Sequence, residues 1–494
     1  MPNVFRCSAP DALIRPERPH DSAPVFEFGP AGPDSEIRSS GKEAFEGWYT
    51  FGQTASGGQP RKERKQIACP ESLKGTAIEP MLREMEMPPQ GAFAEKQSFR
   101  RQNSMFKKLH VDVPPHVIME VAALYPRTRV PLFLEEYGTE EFKDAFERAF
   151  QDALREMESD KTPGAFWNQI SKNNGDLIAD HYDEVFTQVT HLFEQCLLED
   201  FSQLDSHEMF KRTGVCYKVF VKGEPHTVAK LDEGRQRLVF ASPIHMTILE
   251  RMIFGPQNQA DIDNWKTCPS KPGLTMNAEG AEALRENVLA FEAPLVSTDQ
   301  KGWDWHVQEW TMLADVEVRR ELLDGSPAGR QRWHRVARNM NTLITLKTVM
   351  FSDGHVICQE DDHGGIWPSG SYRTSGTNSR MRVLVRRMAC GDCKIITMGD
   401  DGVEADIGFL QEQYLEIGYV LKEPVPVTAD LFEFCSKWFE GSGKVYPVED
   451  SVRKMMVNLV RNPTDEARYS ILMELKDYAS LPYLKATGVF GTEE

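Results

Sequence analysis

The stretch that decides the fold is Lys394-Ile-Ile-Thr-Met-Gly-Asp-Asp-Gly-Val403. A short apolar run that ends at a glycine indicates a buried strand followed by a tight turn. The turn carries two adjacent carboxylates, Asp400 and Asp401, whose like charges repel, so the pattern favours a bound divalent cation. Ligands that are all oxygen favour Mg²⁺ or Mn²⁺ over Zn²⁺. Taken alone, a solvated turn explains these residues equally well.

Two upstream stretches favour the metal site. A second apolar run, Ala293-Pro-Leu-Val-Ser-Thr298, ends in Asp299, and Asp304 follows five positions later. A third stretch, Pro368-Ser-Gly-Ser-Tyr-Arg-Thr-Ser-Gly-Thr-Asn-Ser379, contains the pattern Ser-Gly-x3-Thr-x3-Asn. Together the three stretches resemble motifs A, B and C of viral RNA-dependent RNA polymerases, in the same order and with a similar separation. The pattern in the third stretch consists of Ser369, Gly370, Thr374 and Asn378.

A basic segment upstream resembles motif F of the same polymerases. Tyr217-Lys-Val-Phe-Val-Lys-Gly-Glu-Pro-His226 alternates like a strand, and a second strand is predicted to present Arg235 and Arg237 on one face. Paired guanidinium groups suit a triphosphate because each donates two parallel hydrogen bonds. The segment is most similar to the sobemovirus, polerovirus and barnavirus group. That resemblance implies that Lys222, Arg235 and Arg237 line the nucleotide entry path; a surface hairpin with ordinary charges is the alternative.

The resemblance implies a right-hand polymerase of the α+β class. Its palm would be an antiparallel sheet with an RRM-like core, between helical fingers and a small helical thumb. The similarity covers about residues 105–440. The expected divisions are an N-terminal extension at 1–104 that is partly disordered or associated with the fingers, fingers at 105–292, palm with motif A at 293–312, a fingers insertion at 313–365, palm with motifs B to E at 366–436, and thumb at 437–494.

Phosphoryl transfer needs mainly positioning and electrostatic stabilisation of the reacting oxygens. We expect Asp299 and Asp400, assisted by Asp401, to hold two Mg²⁺ or Mn²⁺ ions. Because Asp299 and Asp400 are far apart in the chain, the fold must bring them together. Lys422, on a short strand predicted at 419–422, is by weak resemblance to motif D a proton donor to pyrophosphate.

The same resemblance assigns Asp304 and Asn378 to the ribose of the incoming nucleotide. Thr374 would lie one turn before Asn378 on the same helix face, and Ser369-Gly370 would form a loop that moves with the template. A site that hydrogen-bonds the 2′-hydroxyl rejects a sugar without it, because its buried polar groups then lose partners. This favours an RNA polymerase over a reverse transcriptase, which typically has a bulky aromatic residue instead of the sensing aspartate.

The implied function is template-directed RNA synthesis that replicates and transcribes a positive-strand RNA virus genome. The expected partners are template and product RNA and ribonucleoside triphosphates. By family analogy a small genome-linked protein could serve as primer, and initiation without a primer remains the open alternative. The expected location is the host cytoplasm, at membrane-associated complexes formed through other viral proteins. The alternatives are a reverse transcriptase, a catalytically silent polymerase-like RNA-binding protein, and a metal-dependent phosphatase or nuclease.

The composition is acidic for a protein that binds nucleic acid. The chain has 494 residues, enough for a large enzyme with subdomains, and a formal net charge of −18. Its basic residues cluster, however, which predicts a basic channel in an acidic shell. The clusters are residues 211–237, then Arg330, Arg332, Arg335, Arg338 and Lys347, and then Arg380, Arg382, Arg386 and Arg387.

Other features bound the architecture. No apolar window is long enough to span a membrane, and the first residues lack the apolar core of a signal peptide. The nine cysteines have no regular spacing, which indicates free thiols in a reducing compartment. Residues 1–100 are rich in Pro, Gly, Ser and charge, which favours disorder or loose packing and would suit a junction within a larger polyprotein. A helix at 248–254 is predicted to end at Gly255-Pro256.

Overall fold

The computed structural model describes residues 45–54, 58–71, 74–75, 78–461 and 465–476. The strands are β1 (Trp48–Gln53), β2 (Lys65–Gln66), β3 (Met85–Met87), β4 (Thr128–Arg129), β5 (Tyr217–Val221), β6 (His226–Thr227), β7 (Leu238–Ala241), β8 (Leu295–Thr298), β9 (Leu323–Asp324), β10 (Thr348–Met350), β11 (His355–Gln359), β12 (Ile395–Met398), β13 (Asp401–Ala405), β14 (Val425–Val427), β15 (Leu431–Phe434), β16 (Lys437–Glu440) and β17 (Val445–Pro447).

The helices surround the sheets. They are α1 (Ile78–Arg83), α2 (Ala92–Asn103), α3 (Pro115–Ala122), α4 (Leu132–Glu135), α5 (Phe142–Arg155), α6 (Trp167–Ile170), α7 (Asn174–Asp180), α8 (Tyr182–Leu198), α9 (Ser206–Thr213), α10 (Val228–Asp232), α11 (Ile244–Asp263), α12 (Ala278–Leu289), α13 (Trp303–His306), α14 (Glu309–Glu321), α15 (Pro327–Thr345), α16 (Thr374–Cys390), α17 (Leu410–Glu416), α18 (Glu449–Arg461) and α19 (Asp465–Lys476). Within the described ranges, no helix is both long and apolar enough to cross a membrane.

A four-stranded antiparallel sheet, in the order β12-β13-β8-β14, holds the acidic stretches. Ile395 and Ile396 of β12 are buried, as expected for β-branched residues in a strand between packed layers. A two-residue loop, Gly399-Asp400, joins β12 to β13. Gly399 has φ 65°, a backbone conformation that favours glycine and that tight hairpin loops require. The predicted strand and turn at this stretch are therefore confirmed.

A five-stranded sheet, in the order β1-β11-β10-β5-β7, incorporates the N-terminal segment. Trp48 of β1 and Phe99 of α2 are fully buried, with ring centroids 5.2 Å apart. The expectation of loose packing before residue 100 is therefore wrong for β1 and α2, because a few large apolar side chains suffice to anchor a polar segment in the core. Residues 58–71 and 74–75 are mostly exposed, and the part of that prediction on residues 1–44, 55–57, 72–73 and 76–77 lies outside the described residues.

Helix α11 corrects the predicted helix end at Gly255-Pro256, because it continues through Pro256 to Asp263. A proline inside a helix removes one backbone hydrogen bond and costs about 3 kcal/mol. Contacts beyond the proline offset this cost: the Gln257 amide donates to the carbonyl of Arg319 at 2.8 Å, and Asp261 forms a buried ion pair with Arg380. Tertiary contacts therefore extend the helix past its local stop signal.

The arginines of α16 correct the predicted basic channel. Arg380, Arg382 and Arg386 are fully buried. Arg380 contacts the Asp315 carboxylate at 3.2 Å, while Arg382 and Arg386 share Glu404 at 2.9 and 3.0 Å. Buried charges are tolerated in a folded protein when they are paired with opposite charges. These arginines therefore join α16 to neighbouring elements through ion pairs in the core and do not line a channel. The sequence showed that the charges cluster but not that carboxylates lie opposite them.

The last described elements are a three-stranded sheet, in the order β15-β16-β17, and the helices α18 and α19. Val452 and Met456 of α18 pack with Leu82 of α1 and Met85 of β3 in one apolar cluster. The strand predicted at 419–422 is wrong, because only an isolated bridge between Gln300 and Leu421 forms there. That bridge lies directly beside Lys422, whose N–H donates to the carbonyl of Asp299 at 2.9 Å.

Candidate active site

Three carboxylates meet at one end of the four-stranded sheet. β8 and β13 pair with Thr298 opposite Gly402, so continuing the register by one residue brings Asp299 opposite Asp401. Asp400 occupies the hairpin loop directly before Asp401. All three line one cavity of about 580 Å³. The structure therefore brings together acidic residues that lie about 100 positions apart in the sequence, as the two-strand arrangement predicted.

The electrostatics of this end of the sheet reflect crowded negative charge. Burial and the neighbouring Asp299 carboxylate raise the pKa of Asp400. Burial and the carboxylates of Asp400 and Asp299 raise the pKa of Asp401 to about 7. Each shift means that the protein alone stabilises the charged form poorly, which is the condition that a bound cation relieves.

The donor set fits a hard divalent cation, because it consists of carboxylate oxygens at strand ends. Among the described residues, no three acidic, histidine or cysteine side chains already converge in a metal-holding arrangement. The Lys422 ammonium instead neutralises Asp299 through a direct ion pair. A cation at this site would therefore compete with Lys422 for Asp299.

Asp304, Thr374 and Asn378 line the same cavity, and we call them the sugar pocket after the role that the sequence predicts for them. Burial and the nearby Asp400 raise the pKa of Asp304 to about 7, while a side-chain hydrogen bond from Asn378 opposes the shift. The Asn378 side chain is buried, and its Oδ1 has no hydrogen-bond partner within the described part of the chain. The Thr374 hydroxyl donates to the carbonyl of Ser371 at 2.7 Å. One of the residues that line the cavity therefore carries a buried acceptor that has no partner in the described part of the chain.

The segment with Ser369 and Gly370 packs tightly against β7. The Gly370 N–H donates to the carbonyl of Phe240 at 3.1 Å, and the Ser369 hydroxyl accepts from the Phe240 N–H at 3.4 Å. A Cβ at position 370 would stand 2.3 Å from the Phe240 carbonyl oxygen, so this approach requires glycine. The movement of this loop with a template stays a prediction.

Arg235 and Arg237 line the same cavity, whereas Lys222 is not among the lining residues. Lys222 instead pairs with Glu224 at 3.0 Å, and Arg237 contacts the same carboxylate at 3.5 Å. The predicted strand over both arginines is wrong, because β7 begins only at Leu238. The Arg235 N–H bonds back to the carbonyl of Lys230 and so closes the end of α10. Both arginines therefore lie in the irregular segment between α10 and β7, while the proposed role of Lys222 stays a prediction.

Sequence reasoning missed three charged residues at the site. Lys230 and Lys454 line the cavity, and desolvation together with the Lys454 ammonium lowers the pKa of Lys230. Glu433 lies close enough to Asp299 that burial and this neighbour raise the pKa of Glu433. The alternation in β15 could have revealed Glu433, since the flanking Phe432 and Phe434 are buried on the opposite face. No local signal connects Lys454, which comes from α18, with the carboxylates.

Comparison with known proteins shows the family to which the chain belongs. Residues 139–441 match the family described as viral RNA-directed RNA-polymerase. The chain belongs to this polymerase family. It is 34% identical to the replicase polyprotein P2AB of Southern cowpea mosaic virus, over 73% of the chain and 38% of the polyprotein. It is 29% identical to the RNA-directed RNA polymerase of mushroom bacilliform virus (isolate Australia/AUS LF-1), over 71% of the chain and 90% of that protein.

Further polymerase relatives support the assignment to the sobemovirus, barnavirus and polerovirus group. The chain is 33% identical to protein P1-P2 of turnip yellows virus (isolate FL-1), over 56% of the chain and 27% of that protein. It spans about two fifths of the first curated relatives, which are polyproteins. The viral polymerases of this family generally use divalent metal ions.

The polymerase fold is also found by structural comparison. The sicinivirus 3Dpol RNA dependent RNA polymerase superposes with a TM-score of 0.51 and 16% sequence identity, over 80% of this chain and 85% of that chain. The expected right-hand polymerase fold of the α+β class is confirmed.

Proposed function

We propose that this polymerase adds ribonucleoside triphosphates to the 3′ end of RNA on an RNA template, and so replicates and transcribes a positive-strand RNA virus genome. The observation that carries the proposal is one cavity that is lined both by Asp299, Asp400 and Asp401 and by the sugar pocket. A phosphatase or nuclease needs the carboxylates but has no need of a sugar pocket beside them.

The acidic residues would hold the metal. Asp299, Asp400 and Asp401 are the candidate ligands for two Mg²⁺ or Mn²⁺ ions, which when bound lower the pKa of the attacking hydroxyl and neutralise the triphosphate. Arg235 and Arg237, which line the same cavity, would hold the triphosphate by charge-assisted hydrogen bonds. Lys422, released from Asp299, would donate a proton to the leaving pyrophosphate.

The sugar pocket would select ribose. The buried Oδ1 of Asn378 is a free acceptor for a 2′-hydroxyl, and the Asp304 carboxylate holds the Asn378 side chain through a hydrogen bond. A deoxyribose would leave this oxygen without a partner, which costs about 1–3 kcal/mol for a buried polar group. The proposed partners are therefore template and product RNA and ribonucleotides, with a genome-linked protein as the proposed primer for initiation.

Extension of an RNA primer on a homopolymeric RNA template tests the proposal, with labelled ribonucleotides and with Mg²⁺ or Mn²⁺. We expect Asp400→Asn to abolish nucleotide addition, because the cavity loses a charged ligand, while RNA binding is retained. Asp406→Asn is a matched control: this carboxylate follows the other end of β13 and lies outside the cavity. Synthesis by Asp400→Asn at the rate of the unmodified protein would refute the metal site.

Initiation is tested separately. Adding a small protein with a tyrosine hydroxyl primer to the unprimed reaction distinguishes protein-primed from primer-independent synthesis. Label that becomes attached to the protein supports the proposed primer, whereas full-length RNA made equally well without it contradicts this part of the proposal.

A further inference from the structure

Glu250 on α11 is a fully buried carboxylate outside the set of residues assigned above. Its Oε1 accepts a hydrogen bond from the Ser371 hydroxyl at 2.7 Å and another from Arg373 Nε at 3.2 Å. Its Oε2 accepts from the backbone N–H of Tyr372 at 3.0 Å. One side chain thus binds three consecutive residues of another chain segment.

Those three residues connect the Gly370 contact with the first residue of α16, Thr374. α16 carries Asn378 one turn later, so the path of this connection determines where the Asn378 side chain lies. Arg373 is itself fully buried, and its guanidinium lies 4.2 Å from the ring centroid of Phe254 on α11. Glu250 and Phe254, one turn apart on α11, therefore hold the connection from the same side.

The other end of this segment is fixed to the residue with which Asn378 pairs. The Trp367 N–H donates to the carbonyl of Asp304 at 2.7 Å, and the Trp367 indole donates to the Thr374 hydroxyl at 3.1 Å. The segment from Trp367 to Thr374 is thus attached to Asp304 at its start and to Glu250 near its end. A change at the Glu250 end would therefore be transmitted to the separation of Asp304 and Asn378, two members of the sugar pocket.

We propose that Glu250 is a positioning residue for ribose selection: by binding Ser371, Tyr372 and Arg373 it holds Asn378 at hydrogen-bonding distance from Asp304. It acts through these residues and does not contact the nucleotide. The inference rests on the proposed function, because it concerns selection in the same sugar pocket. Small displacements of a positioned group change rates by large factors. We therefore expect the preference for ribonucleotides over deoxyribonucleotides to fall about tenfold when the hydrogen bonds of Glu250 to Ser371, Tyr372 and Arg373 are weakened.

A purely structural role for Glu250 predicts a different result, and the chain contains a matched comparison. Glu95 on α2 is equally buried and accepts hydrogen bonds from the backbone N–H of Ser352, at 2.8 Å, and from its hydroxyl. Both carboxylates accept hydrogen bonds from a backbone N–H and from a serine hydroxyl, although only Glu250 also pairs with a buried arginine. Ser352 lies in the turn between β10 and β11 and is not among the residues lining the cavity. Loss of either carboxylate should reduce stability, and only loss of Glu250 should change selection.

The test compares Glu250→Gln, Ser371→Ala and Glu95→Gln in the full chain, measuring kcat and KM for ATP and dATP in primer extension, with thermal unfolding in parallel. We expect Glu250→Gln to lower the ATP-over-dATP ratio of kcat/KM by about tenfold, mainly through a higher KM for ATP. Ser371→Ala removes one of the three hydrogen bonds that Glu250 accepts and should lower the ratio by a smaller factor. Glu95→Gln should lower the unfolding temperature and leave the ratio unchanged.

The outcomes separate the inference from the proposed function. An unchanged ratio in both Glu250→Gln and Ser371→Ala, or an equal change in Glu95→Gln, overturns the positioning role. If Glu250→Gln does not fold, Ser371→Ala decides alone, because it keeps the buried ion pair of Glu250 with Arg373. If the unmodified chain makes no RNA with any ribonucleotide, the proposed function is wrong. If the chain makes RNA and the ATP-over-dATP ratio is unchanged in Glu250→Gln and Ser371→Ala, only the inference about Glu250 is wrong.

Discussion

Asp304 and Asn378 differ in how completely their hydrogen bonds are satisfied. The Asp304 carboxylate accepts from the Asn378 side chain, and its backbone carbonyl accepts from Trp367. Asn378 Oδ1 has no partner within the described residues. Because an unpaired buried acceptor is costly, a hydroxyl that bonded to Asn378 Oδ1 would stabilise the pocket, which is the basis of the proposed ribose selection.

At the residue scale, we predict that Asp304→Ala relaxes sugar selection. Without the carboxylate, the Asn378 amide can rotate, and the preference for a ribonucleotide over a deoxyribonucleotide should fall by at least about tenfold. The measurement is the ratio of kcat/KM for ATP and dATP. Glu309→Ala is the control, since this residue pairs with Lys108 and lies outside the cavity. An unchanged ratio in Asp304→Ala would contradict the ribose assignment.

The β15–β16 hairpin is the element that brings Glu433 to the site, and its loop is strained. The two loop residues, Cys435 and Ser436, have φ 53° and 59°. Two-residue hairpin loops require positive φ because this twist matches that of the strands, and asparagine or glycine usually supplies it. Residues with a Cβ adopt this conformation at a cost of about 1 kcal/mol each.

At the element scale, we predict that Ser436→Gly stabilises the protein. Ser436 is exposed, so the change removes strain without opening a cavity, and the unfolding free energy should rise by about 0.5–1 kcal/mol. Chemical denaturation with unchanged m-value measures this. Ser442→Gly, at an exposed turn position without positive φ, should instead be neutral or destabilising. A loss of stability in Ser436→Gly would show that the loop is not strained.

At the scale of the whole molecule, the N-terminal segment and the C-terminal helices form one apolar cluster. Leu82 of α1 is fully buried against Val452, Met456 and Val457 of α18. An ion pair between Arg453 and Glu84 at 3.2 Å lies beside the cluster. Since Lys454 of the same helix lines the active-site cavity, this packing determines whether α18 borders the site.

We predict that Leu82→Ala loosens α18 locally. Truncating this side chain should lower the stability by about 2–5 kcal/mol. The loss should fall on the apolar cluster between α1 and α18, which is separate from the main core. Amide hydrogen exchange should accelerate in α18 but not in β8 or β13. Leu284→Ala is the matched control, because this equally buried leucine belongs to the cluster that includes residues of β8 and β13. Exchange in α18 that is slow in Leu82→Ala would refute the local role of the cluster.

Local chain chemistry was sufficient to predict the acidic strand–turn of β12, the second strand with Asp299 and the helix with Asn378. Each depends on a short pattern, in which an apolar run precedes Asp, or Ser-Gly precedes a helix, and the structure confirms those elements. The roles of the site residues stay predictions. What the patterns could not supply is which distant segment lies opposite each of them.

That information exists only in the folded chain. Helix α11 continues past Pro256 because Gln257 donates a hydrogen bond to Arg319 and Asp261 pairs with Arg380. The arginines of α16 are buried because Glu404 and Asp315 form ion pairs with them. Glu250 has no local signature at all, since its importance lies in three bonds to residues more than 120 positions away. Strand and turn preferences are properties of neighbouring residues, whereas the free energy of a buried charge depends on a partner that the tertiary structure alone brings into contact.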